Sequence, residues 1–99
     1  MNSKLQSKRL DRLFAAVMLL KNTEECYNFF EDLCTVPELR AMAQRFHVAE
    51  LLAEGLVYNN IVKITGASTA TISRVNRALS MGSDGYKVVI EKLADGSRK

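Results

Sequence analysis

The chain has 99 residues, enough for one domain that buries about two-thirds of the surface its unfolded form exposes. Its composition, 47% hydrophobic and 25% charged, is that of an ordinary globular protein and excludes an intrinsically disordered chain. The formal net charge of +3 is modest, so the distribution of charge is more informative than its sum. We predict a single domain over residues 1–99.

Membrane, metal-binding and catalytic proteins are disfavoured. Apolar runs are short and broken by charge, and Met1-Asn2-Ser3-Lys4 lacks the apolar region of a signal peptide, which predicts a cytoplasmic protein without a membrane partner. Cys26 and Cys34 have no histidine cluster near them and form no C-x-x-C pair, so we predict reduced thiols and no metal site. His47 has no acid or nucleophile at motif spacing. We therefore predict no catalytic residues and no enzyme activity.

The first helix is predicted over residues 5 to 20, where apolar residues recur three and four apart at Leu10, Leu13, Phe14, Val17 and Leu20. Its other face is also apolar, with Ala15, Ala16, Met18 and Leu19. A helix that is apolar on both sides packs on more than one neighbour or against another chain.

The next two helices have clear start signals. Asn22 or Thr23 is the predicted N-cap of the second helix, with acids in its first turn. Thr35 and Glu38 are spaced as a capping box that starts the third helix, which is predicted to run to about residue 54 and to end at Gly55. Two apolar stripes on the third helix predict that it is central.

Two short helical patterns, residues 58 to 64 and 68 to 80, are joined by a tight turn at Thr65-Gly66-Ala67, which predicts a helix-turn-helix at about 58–80. With Ile72 inward at about 100° per residue, Val75 and Leu79 share its side. The residues that then point outward are small, hydroxyl-bearing or basic: Ala70, Ser73, Arg74 and Arg77. That composition suits a helix entering a major groove about 12 Å wide.

Charge supports a DNA-facing surface. No Asp or Glu occurs from Gly55 to Ser83, although the chain has eleven acids, and the only Lys or Arg residues in that window are Lys63, Arg74 and Arg77. A second basic set lies near the N-terminus, at Lys4, Lys8, Arg9 and Arg12. It is either an arm near DNA phosphates or a solvated terminus. A last helix is predicted after Ser83-Asp84, with its apolar stripe at Tyr86, Val89, Ile90 and Leu93.

Within the helix-turn-helix, Gly66 lies four residues after Val62, and Ile72 lies six beyond it, the spacing of a known DNA-binding family. Residues identical or similar to those of that family also occur, with one residue fewer between the two glycines, at Thr35, Glu38, Ala41, Arg45, Glu50, Leu52, Gly55, Gly66-Ala67, Ala70-Thr71-Ile72, Arg74 and Leu79. From about Leu33 to Leu93 the chain therefore resembles the Trp repressor family, and in particular its shorter Trp-repressor-related branch.

The resemblance implies an all-α, six-helix, Trp-repressor-like helix-turn-helix domain that forms an intertwined homodimer. It implies double-stranded DNA as partner, with two recognition helices in successive major grooves of a pseudo-palindromic operator. The residues predicted to contact DNA are Lys63, Ser68, Thr69, Ala70, Thr71, Ser73, Arg74 and Arg77.

The resemblance also implies a corepressor pocket in which two arginines sandwich the indole of tryptophan, here Arg45 and Arg74, with Thr35 nearby. Tryptophan-binding members have a glycine where this chain has Val75, and a serine where it has Ala78. Filling the glycine's space costs roughly 1 to 3 kcal/mol. We therefore predict a repressor without a cofactor and unresponsive to tryptophan. A repressor that needs tryptophan or another small corepressor, and a protein-interaction module on the same fold, are the alternatives.

Overall fold

The computed structural model describes residues 7–97, which form six α-helices and, within that range, no β-strand. In chain order they are α1 (Lys8–Val17), α2 (Thr23–Leu33), α3 (Val36–Ala53), α4 (Tyr58–Thr65), α5 (Thr69–Met81) and α6 (Gly85–Ser97). The predicted all-α class and the predicted order of six helices are confirmed. No helix in this part of the chain is both long and apolar enough to cross a membrane.

Side-chain caps start α2 and α3 as predicted. Asn22 Oδ1 accepts a hydrogen bond from the Glu25 amide at 2.9 Å. At α3 the Glu38 carboxylate accepts from the Thr35 amide at 2.8 Å, and the Thr35 hydroxyl accepts from the Glu38 amide at 3.3 Å. Each cap occupies amide groups that lack partners within the first turn of a helix.

α1 is shorter than the prediction of residues 5 to 20. The predicted start lies outside the described residues, and the described helix begins at Lys8 with Ser7 as its N-cap. It ends at Val17, and the amides at positions 19 and 20 donate to carbonyl groups three residues earlier, the bonds of a tight turn. The chain has left the helix by Asn22, the next N-cap, which has extended backbone with φ −153°.

α3 ends at the glycine that the sequence indicated. Gly55 has a φ of +91°, a left-handed conformation that side chains disfavour. Its amide donates to the Leu52 carbonyl, and the Leu56 amide donates to the Leu51 carbonyl, at 3.0 and 3.1 Å. This pair of bonds is a Schellman motif, and it directs the chain away from α3 towards α4.

The chain divides into two compact units between Leu39 and Arg40, inside α3. In the first unit no residue of α1 or α2 is buried, and Met18 and Leu19 are 83% and 76% exposed. The second unit has one apolar core contributed by α3, α4, the turn after α4, and α5: Val48, Ala49, Leu51, Ile61, Ala67, Ile72 and Val75. The single domain over residues 1–99 stays a prediction.

α6 starts directly after Asp84, a non-glycine residue with a φ of +64°. The Asp84 carbonyl accepts from the Val88 amide at 3.0 Å, and its carboxylate lies 3.6 Å from Lys87 Nζ. Of the predicted apolar stripe, Tyr86 and Ile90 pack against the core of the second unit, whereas Val89 and Leu93 are about half exposed.

Candidate nucleic-acid interface

α4 and α5 pack against each other around a three-residue turn, so the predicted helix-turn-helix is present. Gly66 ends α4 with a φ of +73°, and its amide donates to the Val62 carbonyl at 2.8 Å. A side chain at this φ would approach the following carbonyl, which is why the turn favours glycine. Ala67 follows and is buried in the core, so core packing holds the end of the turn that leads into α5.

Thr65 connects the two sides of this turn. Its hydroxyl donates to the Ile61 carbonyl at 2.8 Å and accepts from the Ala67 amide at 3.0 Å. Its backbone carbonyl accepts from Gln44 Nε2 of α3 at 3.2 Å. The turn is therefore hydrogen-bonded both within the motif and to the helix that precedes it.

The first turn of α5 is capped by a hydroxyl. Ser68 is the N-cap, and its Oγ accepts from the Thr71 amide and donates to Thr71 Oγ1, both at 3.1 Å. Thr71 is half-buried, and Ser68 is exposed. Two of the predicted DNA contacts thus hydrogen-bond to each other, and Thr71 keeps its own hydroxyl proton available as a donor.

The predicted inward and outward faces of α5 are confirmed. Ile72 is 0% exposed and Val75 2%, and Leu79 packs against the same core. The outward residues are exposed: Thr69, Ala70, Ser73, Arg74 and Arg77, together with Lys63 of α4. This surface carries three cations and no acid, so it presents donors and positive charge to whatever approaches it.

The predicted corepressor residues occupy different surroundings. Val75 belongs to the buried core, Arg45 and Ala78 are half-buried and Arg74 is exposed. Thr35 lies in the first unit, where its hydroxyl caps α3.

A cavity of about 510 Å³ in the second unit is lined by Phe46, Ala78, Ser83, Gly85, Tyr86 and Val89. Ala78 is the one predicted corepressor residue among them, and the lining includes neither Arg45 nor Arg74. The Phe46 and Tyr86 ring centroids are 6.4 Å apart, so this wall of the cavity is aromatic.

Other side chains that could bind metals, react or carry charge are dispersed. Within residues 7–97 no three His, Cys, Asp or Glu side chains are grouped as metal ligands would be. Cys26 and Cys34 are free thiols, both half-buried. Of the basic N-terminal set, Lys8, Arg9 and Arg12 are exposed, and Lys4 lies outside the described residues.

Sequence reasoning did not identify Gln44 or Thr65 as part of this site. Thr65 carried a weak local signal, because a threonine before a turn glycine often hydrogen-bonds its own backbone. Gln44 carried none, because its partner lies 21 residues further along the chain.

Comparison with known proteins agrees with the fold and the motif. The family model described as Trp repressor protein matches residues 8–94. The Bacillus subtilis (strain 168) protein YerC, described as uncharacterized, is 50% identical over 92 residues, which are 93% of this chain and 88% of YerC.

Two crystal structures are also similar. A TrpR-like protein from Eubacterium eligens ATCC 27750 has a TM-score of 0.90 at 50% identity, covering 94% of this chain and 96% of the other. A Staphylococcus aureus protein described as a candidate Trp repressor has a TM-score of 0.90 at 46% identity, covering 95% of each chain. These matches confirm the resemblance that the motif residues indicated, and the chain belongs to the Trp repressor family.

Proposed function

We propose that this chain is a transcriptional repressor that binds a pseudo-palindromic DNA operator as a homodimer through α5. The observation that carries the proposal is the exposed face of α5, which is small, hydroxyl-bearing and basic over a helix whose opposite face is buried. Membership of the Trp repressor family supports the same function. Because α5 is anchored by Ile72 and Val75, its outward side chains are held on a rigid element.

The exposed residues divide by position into two roles. Base edges in the major groove are read by residues of the first turns of α5: Thr69, Ala70, Thr71 and Ser73. The DNA backbone is held by Lys63, Ser68 and Arg77, with Arg74 beside them. Since the Ser68 hydroxyl caps α5, we assign its phosphate contact to the amide groups of the helix N-terminus.

The exposed apolar side chains of the first unit support the proposed homodimer. α1 and α2 contain no buried residue in the single chain, although both carry apolar side chains. A second copy would cover them. It would also double the sequence-dependent energy, since one helix reads only three or four base pairs at about 1 to 3 kcal/mol each. Two α5 helices about one turn of DNA apart define the operator.

Salt dependence tests DNA binding. Duplexes selected from a random pool by the full-length protein would be labelled and titrated with it at increasing salt, and the affinity should fall with a log–log slope of about −0.9 per phosphate neutralised. A flat response would contradict the proposal. It would favour the protein-interaction module, which needs no phosphate contact.

The repressor is proposed to act without tryptophan. Val75 supports this, because its side chain is part of the packed core and occupies the place where tryptophan-binding members have a glycine. Overpacking of roughly 1 to 3 kcal/mol would weaken binding about ten- to a hundredfold.

Titration with L-tryptophan tests this independence. The chain contains no Trp, so the fluorescence of added L-tryptophan reports its binding without background from indole in the protein. We expect no saturable change at micromolar concentrations. A saturable change would contradict this part of the proposal and favour a tryptophan-dependent repressor.

A further inference from the structure

The turn of the helix-turn-helix is a potential hinge. Gly66 has no side chain, and with a φ of +73° it sits in a region that glycine enters and leaves without steric cost. A Cβ built at Gly66 would meet no atom within 4 Å, so packing around this residue does not restrain it. The angle between α4 and α5 therefore depends on the core contacts of the two helices and on the hydrogen bonds of the residues beside the glycine.

Thr65 restrains the hinge from within the motif. Its hydroxyl bridges the Ile61 carbonyl of α4, at 2.8 Å, and the Ala67 amide, at 3.0 Å. Because it is both donor and acceptor, one hydroxyl joins the end of α4 to the first residue after Gly66. These bonds fix the shape of the turn but not its position against the rest of the protein.

Gln44 supplies the external restraint. Its Nε2 donates to the Thr65 carbonyl at 3.2 Å, and it lies on α3 one helical turn before Val48 and Ala49, two residues of the buried core. α3 is the long helix on which α4 and α5 pack their apolar sides. The half-buried Gln44 amide thus joins the turn between α4 and α5 to the part of α3 that contributes to the buried core.

We propose that Gln44 is a positioning residue for DNA reading, acting through Thr65 to hold α5 at one angle to α3. This rests on the proposed function, and it assigns to Gln44 an effect on operator specificity rather than on DNA binding in general. Base contacts depend on placement to within about 0.5 Å, whereas long phosphate-binding side chains tolerate small rotations. Loss of the Gln44 bond should therefore weaken operator binding and leave non-specific binding intact.

The first test compares Gln44→Leu with His47→Leu. Leu keeps the bulk of Gln44 and removes its donor, and His47 is an exposed residue of the same helix. Affinities for the selected operator and for a scrambled duplex would be measured across salt. We expect Gln44→Leu to lose about three- to tenfold for the operator alone, with an unchanged salt slope and wild-type behaviour in His47→Leu.

Two results would overturn the role of Gln44. Equal loss on operator and scrambled DNA, with a shallower salt slope, would make Gln44 a phosphate contact. Wild-type specificity in Gln44→Leu would make the hydrogen bond irrelevant. If the wild-type protein enriches no sequence from the random pool, the proposed function fails and the role in DNA reading fails with it.

A second test measures hydrogen exchange without DNA. It tests the restraint by Gln44 even if the affinity of Gln44→Leu for the operator changes little. Hydrogen exchange of the Ala67 amide, which donates to the Thr65 hydroxyl, reports the hinge directly. We expect faster exchange in Gln44→Leu and in Thr65→Val, and recovery in Thr65→Ser, which restores the hydroxyl. Thermal unfolding of each variant verifies that it is folded. Unchanged Ala67 exchange in folded Gln44→Leu would refute the restraint.

Discussion

Arg77 is exposed on α5 about one helical turn beyond Ser73, and it lies in the window without acids. In the proposed DNA complex, a guanidinium in that position would reach the phosphates that flank the bases contacted by the first turns of α5. We predict that Arg77→Ala weakens binding to all DNA sequences alike and reduces the salt slope by about 1, the share of one phosphate contact. Fluorescence anisotropy titrations on operator and scrambled duplexes measure both quantities.

The control for Arg77 is Lys92→Ala. Lys92 is an exposed cation of α6, so its replacement changes the net charge equally but lies outside the helix-turn-helix. We expect near wild-type binding in this variant. A loss in Arg77→Ala that is confined to the operator would contradict a phosphate role and assign Arg77 to base reading.

At the scale of helices, glycines with different φ angles should respond oppositely to the same substitution. Gly66→Ala forces a Cβ into the left-handed region and should cost about 1 to 2 kcal/mol. Gly96→Ala lies within α6 and should stabilise by up to about 1 kcal/mol. An added Cβ meets no atom within 4 Å at either site, so the difference comes from the backbone alone. Urea unfolding of the full-length variants measures both.

The Gly96 variant is the matched control, because the two proteins carry an identical chemical change. Equal destabilisation in both would show that the left-handed φ at Gly66 does not govern its stability effect. Stabilisation by Gly66→Ala would contradict the described turn.

The capping box of α3 should make stability depend on acid pH. The amide of Thr35, and then its hydroxyl, hold the pKa of Glu38 below its ordinary value of 4.5. A carboxylate with a lowered folded pKa contributes stability that is complete above the unfolded value and is lost as the pH falls through the folded pKa. We predict that the thermal midpoint of the wild type exceeds that of Glu38→Gln by a constant difference above pH 4.5, and that this difference shrinks as the pH falls below it.

Gln is the appropriate substitution because its side-chain oxygen still accepts from the Thr35 amide but does not titrate. Only the wild type should lose the Glu38 contribution on acidification. Curves that remain parallel down to the acid transition would contradict a lowered pKa at Glu38.

For the whole molecule, the apolar surface of α1 and of the turn after it predicts self-association. Leu19, in that turn, is 76% exposed in the single chain, and Phe14 of α1 and Tyr27 of α2 are also exposed. Light scattering at micromolar concentration should therefore give twice the mass of the chain. A monomeric mass would contradict the homodimer, and with it the pseudo-palindromic operator.

A pair of variants tests which surface forms the contact between the two copies of the chain. Leu19→Asp puts a charge on the exposed apolar surface directly after α1 and should shift the mass towards the monomer. Val57→Asp introduces the same charge at the N-cap of α4, where the residue is 62% exposed and where Asp is a favourable cap, so the dimer should persist. Equal effects of the two substitutions would argue against an interface at α1.

The sequence by itself determined the local structure of this protein. Asn22, the Thr35–Glu38 pair and Gly55 set helix ends through bonds or backbone angles spanning only a few residues, so each was predictable from its neighbours. The buried and exposed sides of α5 also followed, because helical periodicity fixes which side chains lie opposite Ile72. The family resemblance rested in part on the same residues, among them Thr35, Glu38 and Gly55.

Only the tertiary structure decided features that join distant residues or that depend on competing partners. Gln44 bonds to Thr65 across 21 positions, and no local pattern indicates that contact. The hydroxyls of Ser68 and Thr71 could have faced DNA alone, but they are partly used in capping α5. Val75 lies within the core, whereas Arg45 and Arg74 do not line the aromatic cavity near Ala78. Short-range hydrogen bonds can be predicted from neighbouring residues in the sequence. Long-range contacts form only when the helices pack, so no local pattern predicts them.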